Sequence, residues 1–313
     1  MRTGLSIYSL WNALRKGEMT VEEAFAFMQA LGCESTEIAN FVVPLHTPDH
    51  QYIPEMAIKL REYSDKYEVP IGAYSCGSDI GRAEGSMFEG MKHYVFSEID
   101  LAHLLGAPLI RIDLVRVMVG KDDTGIEAYD RIFERCVNVA REMADYAAKY
   151  GIMLTVENHG TLMNGADRVG KLIRAVNHPN YGVTLDIGNT VCVDENPLDL
   201  AKELIPYAKE IHVKDFYIRD DPYVIGAKYK EGYQATNDPG ILGNGSWMPT
   251  KHGRFLRGAI VGHGDLPMKE MISLINQSSF DGDVLIEFEG MEDPRLASEI
   301  SLKNLRQMLE ITK

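Results

Sequence analysis

The chain has 313 residues, 45% hydrophobic and 25% charged, which is ample for one large α/β domain or two ordinary ones and unlike a disordered or fibrous chain. With 46 acidic against 32 basic residues its formal charge is −14, a field that repels polyanions, so nucleic acid and anionic membrane surfaces are poor partners. No apolar run approaches the ~18 residues of a membrane helix, and the N-terminal stretch alternates polar and apolar residues instead of building a signal-peptide core, so we expect a soluble, cytoplasmic protein.

From the N-terminus onward, short apolar runs alternate with longer amphipathic segments. The short runs predict eight strands, at residues 4–8, 35–39, 70–74, 109–113, 153–157, 182–186, 210–214 and 284–288. The amphipathic segments predict helices over 20–31, 54–67, 90–105, 125–150, 166–176, 197–204, 267–276 and 294–311. Thr20 with Glu23 forms a capping-box pattern, Pro197 suits a first helical position, and Gly32, Gly106 and Gly151 follow periodic runs where a left-handed residue ends a helix. Cys33, Cys76, Cys136 and Cys192 are scattered without CxxC spacing, as reduced thiols are.

Eight consecutive strand–helix units point to an α/β chain closed into a (β/α)8 TIM barrel, because right-handed crossovers place every helix outside a parallel sheet. The alternative is an open doubly wound sheet. Against it, the turn Tyr8-Ser9-Leu10-Trp11 after the first strand carries no GxGxxG or Walker pattern to receive a phosphate. We therefore read residues 1–313 as one barrel with an inserted loop over 216–266. At about fifty residues that loop far exceeds an ordinary βα connection. Because it follows a strand, it is expected on the C-terminal face as a lid or substrate-recognition segment, with an oligomer contact as the plainer alternative and a homo-oligomer as one possible assembly.

Hard ligands stand at the ends of the four last predicted strands: Glu157 in Val-Glu-Asn-His, Asp186 in Leu-Asp-Ile-Gly-Asn, His212 in Ile-His-Val-Lys-Asp and Glu287 in Ile-Glu-Phe-Glu. Each follows apolar residues of a buried run, and ionised carboxylates there need a cationic partner. Three oxygen donors and one imidazole suit a single divalent ion, Mn²⁺ first, with Mg²⁺, Co²⁺ and Zn²⁺ as alternatives. Taken singly, each residue is as readily a helix cap, an ion-pair partner or a core histidine. Glu289 shares a pleat face with Glu287, so either can reach the ion; Glu287 lies deeper in the apolar run and is preferred.

These four motifs, in this order, resemble those of the sugar phosphate isomerase/epimerase family with its xylose isomerase-like barrel. Ketose 3-epimerases, hydroxypyruvate isomerase, inosose dehydratase and, more distantly, endonuclease IV belong to that group. The resemblance implies that Glu157, Asp186, His212 and Glu287 bind one divalent metal and that Glu157 and Glu287 also flank the substrate as the catalytic acid/base pair. A metal that chelates a ketone oxygen and its neighbouring hydroxyl acidifies the intervening C–H and stabilises an enediolate. Two carboxylates can then move the proton from one face to the other.

Further candidates for substrate contact are His159 and Lys214, each two residues past a proposed ligand, with Asn189, Arg111, Trp11, His263 and Glu289. Tyr8, Asn40 and Asp113 also fall at strand ends and can line the pocket. Asn189 stands where some ketose epimerases carry a histidine, so the chain is no clean match to a free-ketose 3-epimerase. The expected activity is a metal-dependent isomerase or epimerase acting on a ketose or keto-sugar. A lyase of the same site, an inosose-type dehydratase or a β-eliminase of 3-keto-glycosides, is the alternative. Endonuclease-type repair would need a larger ligand set and a cationic face, which the net charge opposes.

Overall fold

The computed structural model describes residues 1–47, 49, 51–116, 124–220 and 247–312. Eight parallel strands close into a barrel: β1 (Arg2–Ser6), β2 (Ser35–Ala39), β3 (Ile71–Cys76), β4 (Leu109–Ile112), β5 (Met153–Glu157), β6 (Tyr181–Asp186), β7 (Ala208–Val213) and, after an excursion, β11 (Asp283–Ile286), which pairs with both β1 and β7. Between β7 and β11 the excursion adds β8 (Asp215–Arg219), β9 (Met248–Pro249) and β10 (Phe255–Ala259). The chain therefore forms the expected (β/α)8 barrel.

Nine α-helices are described: α1 (Trp11–Arg15), α2 (Val21–Ala30), α3 (Pro54–Tyr67), α4 (Gly85–Leu105), α5 (Ile126–Ala148), α6 (Ala166–Val176), α7 (Pro197–Leu204), α8 (Met268–Asn276) and α9 (Pro294–Ile311). From α2 to α9 they follow the strands around the barrel, each burying an apolar face against it. On α5, for example, Ala128, Ile132, Cys136, Val139, Ala140 and Met143 recur at helical spacing and are buried. The Thr20/Glu23 capping box is present at the start of α2, and Gly106 ends α4 in the left-handed region at φ 75°.

The loop expected over 216–266 is partly sheet. β8, β10 and β9 make a separate three-stranded antiparallel sheet, and residues 221–246 lie outside the described residues. Gly258 on β10 bridges to Gly290, just past β11, and a Cβ at residue 258 would lie 2.6 Å from the Glu289 carbonyl carbon. Only glycine lets the two backbones meet this closely. That bridge fixes the small sheet against the C-terminal end of the barrel.

Candidate metal centre

Four strand ends bring Glu157, Asp186, His212 and Glu287 together, with one ligand atom from each lying within 4.8 Å of the others. Backbone pairing explains the convergence. Asp186 is in register with His212, the Ile187 amide donates to the His212 carbonyl at 3.1 Å, and the Glu287 amide donates to the Val213 carbonyl at 3.1 Å. Asn158 locks β5 to β6 by donating to the Asp186 carbonyl (2.8 Å) and accepting from its amide (2.9 Å). The carboxylate of Asp186 folds back to accept from the Gly188 amide (2.7 Å) and the Asn189 amide (2.9 Å). Gly188 is required there, since a Cβ would lie 2.6 Å from the Lys214 carbonyl oxygen.

Buried cations frame the cluster. The Lys214 ammonium lies 2.7 Å from Glu287 Oε2 and 3.3 Å from Asp186 Oδ2. The Arg111 guanidinium lies 3.2 Å from Glu157 Oε2 and donates to Asp113 at 2.8 Å. Asn189 connects the two sides, donating to Glu157 Oε1 at 3.2 Å and accepting from Lys214 at 3.3 Å. Burial pushes the Asp186 carboxyl up to about 6, only partly offset by Lys214. Burial works on Glu287 in the same direction, yet Lys214 and His212 together hold it at about 2.

The donors fit a cation. Asp186 Oδ2 and His212 Nδ1 are buried without a hydrogen-bond partner, and Nδ1 faces Glu157 Oε1 at 3.5 Å and Glu287 Oε2 at 3.8 Å. A ring lone pair and carboxylate oxygens of like sign can share such a space favourably when a positive ion or a proton stands between them. Three carboxylates and one imidazole are a ligand set for Mg²⁺, Mn²⁺, Co²⁺ or Zn²⁺.

Several expected neighbours are nearby. His159 Nδ1 pairs with Asp113 Oδ2 at 3.1 Å, and Asp113, Glu157 and His159 form a second group of converging donors. Desolvation opposes protonation of His159, but Asp113 outweighs it and raises the imidazole to about 9. Glu289 lies outside the four-donor cluster, where its Oε2 meets Lys214 at 3.5 Å and the Tyr8 hydroxyl at 3.4 Å. Trp11 stacks on Tyr8 at 5.8 Å, and Phe41 closes this aromatic rim against both rings. His263 joins none of the described donor groups; its side chain is exposed in a turn that its amide closes onto the Ile260 carbonyl at 2.8 Å. That turn is instead held by Asp215, whose carboxylate accepts from the Gly262 and Gly264 amides.

Sequence reasoning overlooked two carboxylates beneath the cluster. Glu37 on β2 and Glu210 on β7 are buried and face the other ring nitrogen of His212. The available signal for Glu210 was its position two residues before His212 on the same strand face.

A closed (β/α)8 barrel with carboxylates and a histidine converging at its C-terminal strand ends defines a TIM-barrel enzyme whose described residues can hold a divalent ion. Residues 25–308 match the xylose isomerase-like TIM barrel family, and the chain belongs to it. Inosose dehydratase from Bacillus anthracis is 23% identical, the match covering 91% of this chain and 88% of that protein. D-psicose 3-epimerase from Clostridium cellulolyticum H10, solved with D-tagatose, superposes with a TM-score of 0.70 at 14% identity over 99% of both chains. A xylose isomerase-like TIM barrel protein from Mycobacterium smegmatis, solved in complex with magnesium, superposes at 0.69 with 15% identity, over 100% of this chain and 98% of that one.

Proposed function

We propose that this protein is a divalent-metal-dependent sugar isomerase or epimerase acting on a ketose or keto-sugar, with Glu157 and Glu287 as its acid/base pair. The observation that carries the reading is the convergence of these two carboxylates, from the ends of β5 and β11 with β6 and β7 between them, on the ligand atoms of Asp186 and His212. Glu157, Asp186, His212 and Glu287 hold the ion, Mn²⁺ in our reading. When bound, a divalent cation polarises a ketone oxygen and acidifies the neighbouring C–H.

The side chains supply the rest. Arg111 and Asn189 fix the Glu157 carboxylate, and Lys214 fixes that of Glu287, so each presents an oxygen to the substrate from a set direction. One removes a proton from the carbon beside the carbonyl, and the other returns a proton to the opposite face or to the adjacent carbon. The Tyr8–Trp11 stack stands at the mouth, where the Tyr8 hydroxyl meets Glu289.

A second reading, a lyase, draws on a different observation. Asp113 holds His159 by Nδ1, which leaves Nε2 of a protonated ring free to donate to a departing β-hydroxyl, as dehydration requires. The inosose dehydratase relative favours the same outcome. The experiment is turnover in D₂O with Mn²⁺ over a panel of ketoses, inososes and 3-keto-glycosides. Deuterium in recovered substrate and in a saturated isomer supports the epimerase; an unsaturated ketone product overturns it in favour of elimination.

A further inference from the structure

The two carboxylates under His212 sit where burial is most costly to a charge. Glu37 is fully buried on β2, and its Oε1 accepts a hydrogen bond from Ser6 at 2.8 Å, while Oε2 and His212 Nε2, both otherwise unpartnered, face each other at 3.4 Å. Glu210 Oε2 accepts from Thr184 at 3.2 Å and lies 3.6 Å from the same nitrogen. Beside Glu37 the β2–β3 register shifts between Thr36 and Glu37, an irregularity of the kind that re-aims a side chain. One serine hydrogen bond does not by itself compensate a buried carboxylate, and the ring facing its other oxygen is that of His212.

We propose that Glu37 is a positioning residue for His212: by accepting the Nε2 hydrogen it turns Nδ1 toward the cluster of Glu157, Asp186 and Glu287 and strengthens that nitrogen as a ligand. The proposal rests on the reading that these four residues hold the ion. Each ring nitrogen faces two carboxylates, Nδ1 those of Glu157 and Glu287 and Nε2 those of Glu37 and Glu210; with the ion on the Nδ1 side the hydrogen is left on Nε2, where Glu37 is the nearer acceptor. Ser6 in turn holds the carboxylate from the neighbouring strand β1. Glu210 is already committed to Thr184, which shares a hydrogen bond with Thr155 at 2.8 Å, and it serves as the secondary acceptor. Carboxylates that accept from the far side of a ligating imidazole fix its tautomer and raise its basicity.

The test is titration of the metal-stripped full-length protein with Co²⁺, following affinity by calorimetry and the visible absorption of the bound ion. Glu37→Gln keeps the shape of the side chain and removes its charge; it should weaken Co²⁺ binding by roughly 10- to 100-fold and change the visible band, with the metal-free melting temperature maintained. Glu210→Gln should lose less. Ser6→Ala, which unties Glu37 without removing it, should shift affinity in the same direction by a smaller factor, and it carries the test if Glu37→Gln fails to fold. Wild-type affinity and spectrum in both Glu37→Gln and Ser6→Ala would overturn the proposal, as would a larger loss in Glu210→Gln. If the wild-type protein itself takes up no Co²⁺, the metal centre fails; if it does and Glu37→Gln matches it, only the positioning role fails.

Discussion

Strand β11 carries a buried carboxyl group at each end, and the two are treated in opposite ways. At the floor of the barrel Asp283 is finished: Arg2 donates to both of its oxygens at 2.7 and 2.8 Å, and Ser35 donates to Oδ2 at 2.5 Å. Residue 72 must be glycine to leave room for it, since a Cβ there would lie 2.1 Å from Asp283 Oδ2. At the mouth, Glu287 joins two more carboxylates and a histidine, and Asp186 Oδ2 and His212 Nδ1 are left without hydrogen-bond partners. The floor spends its charge on holding strands together. The mouth keeps like-charged donors converging, an arrangement that opposes folding and suits an ion and a reaction.

The largest effects expected from this contrast are on turnover. Glu157→Gln and Glu287→Gln should each cut kcat by roughly 10²- to 10⁴-fold with the circular dichroism spectrum unchanged, because each removes a proton carrier. Asp283→Asn should leave kcat within a few-fold of wild type once the protein is folded. Steady-state kinetics on whichever substrate the D₂O panel identifies checks both, and an Asp283→Asn enzyme as inactive as Glu287→Gln would erase the distinction between the two ends.

Stability should separate them with opposite signs. Asp283→Asn weakens a bidentate pair with a half-exposed arginine and should lower unfolding free energy by about 1–3 kcal/mol. Asp186→Asn keeps an oxygen for the Gly188 and Asn189 amides, removes one of the converging charges and should stabilise the metal-free protein by roughly 0.5–2 kcal/mol while abolishing ion binding. Urea unfolding in the presence of chelator measures both. A destabilised Asp186→Asn would show that the mouth, like the floor, is built for stability.

How much of this could be read from the sequence follows from what each residue type signals. Strand-end acids preceded by apolar runs mark themselves, so Glu157, Asp186, His212 and Glu287 were legible, and the structure does bring their donors together. Strands that begin on charge were not: β1 starts at Arg2 and β11 at Asp283, two residues whose pairing no hydrophobic pattern announces. Glu37 in Ser-Thr-Glu-Ile-Ala reads as ordinary alternation, because the sequence does not say which face is inward where the register shifts. His263 illustrates the converse, a residue of suggestive type whose place in a turn is fixed by Asp215 binding the flanking backbone. The strand β8 was hidden because it follows β7 with only Lys214 between them, too short a break to separate two runs.

The pH dependence of stability offers the finest discrimination. In the metal-free protein, burial raises the Asp186 carboxyl to about 6 and that of Glu210 to about 7. Each binds its proton more tightly folded than unfolded, so the stability they contribute is complete below the ordinary carboxylate range of about 4 and is lost as pH rises through about 6 to 7. Glu287, held at about 2 by Lys214 and His212 against the effect of burial, behaves in the opposite sense: its contribution is complete above about 4.5 and is lost as pH falls toward 2. The metal-free melting temperature should therefore peak near pH 4–5 and decline toward neutrality, and a saturating divalent ion, which takes the deprotonated donors, should remove the decline. Asp186→Asn should flatten the neutral limb of this curve. Melting curves in chelator and in excess Mn²⁺ across this range distinguish the cases, and a chelated wild-type curve that rises steadily from pH 4 to 7 would mean that the mouth carboxylates carry no excess charge for an ion to relieve.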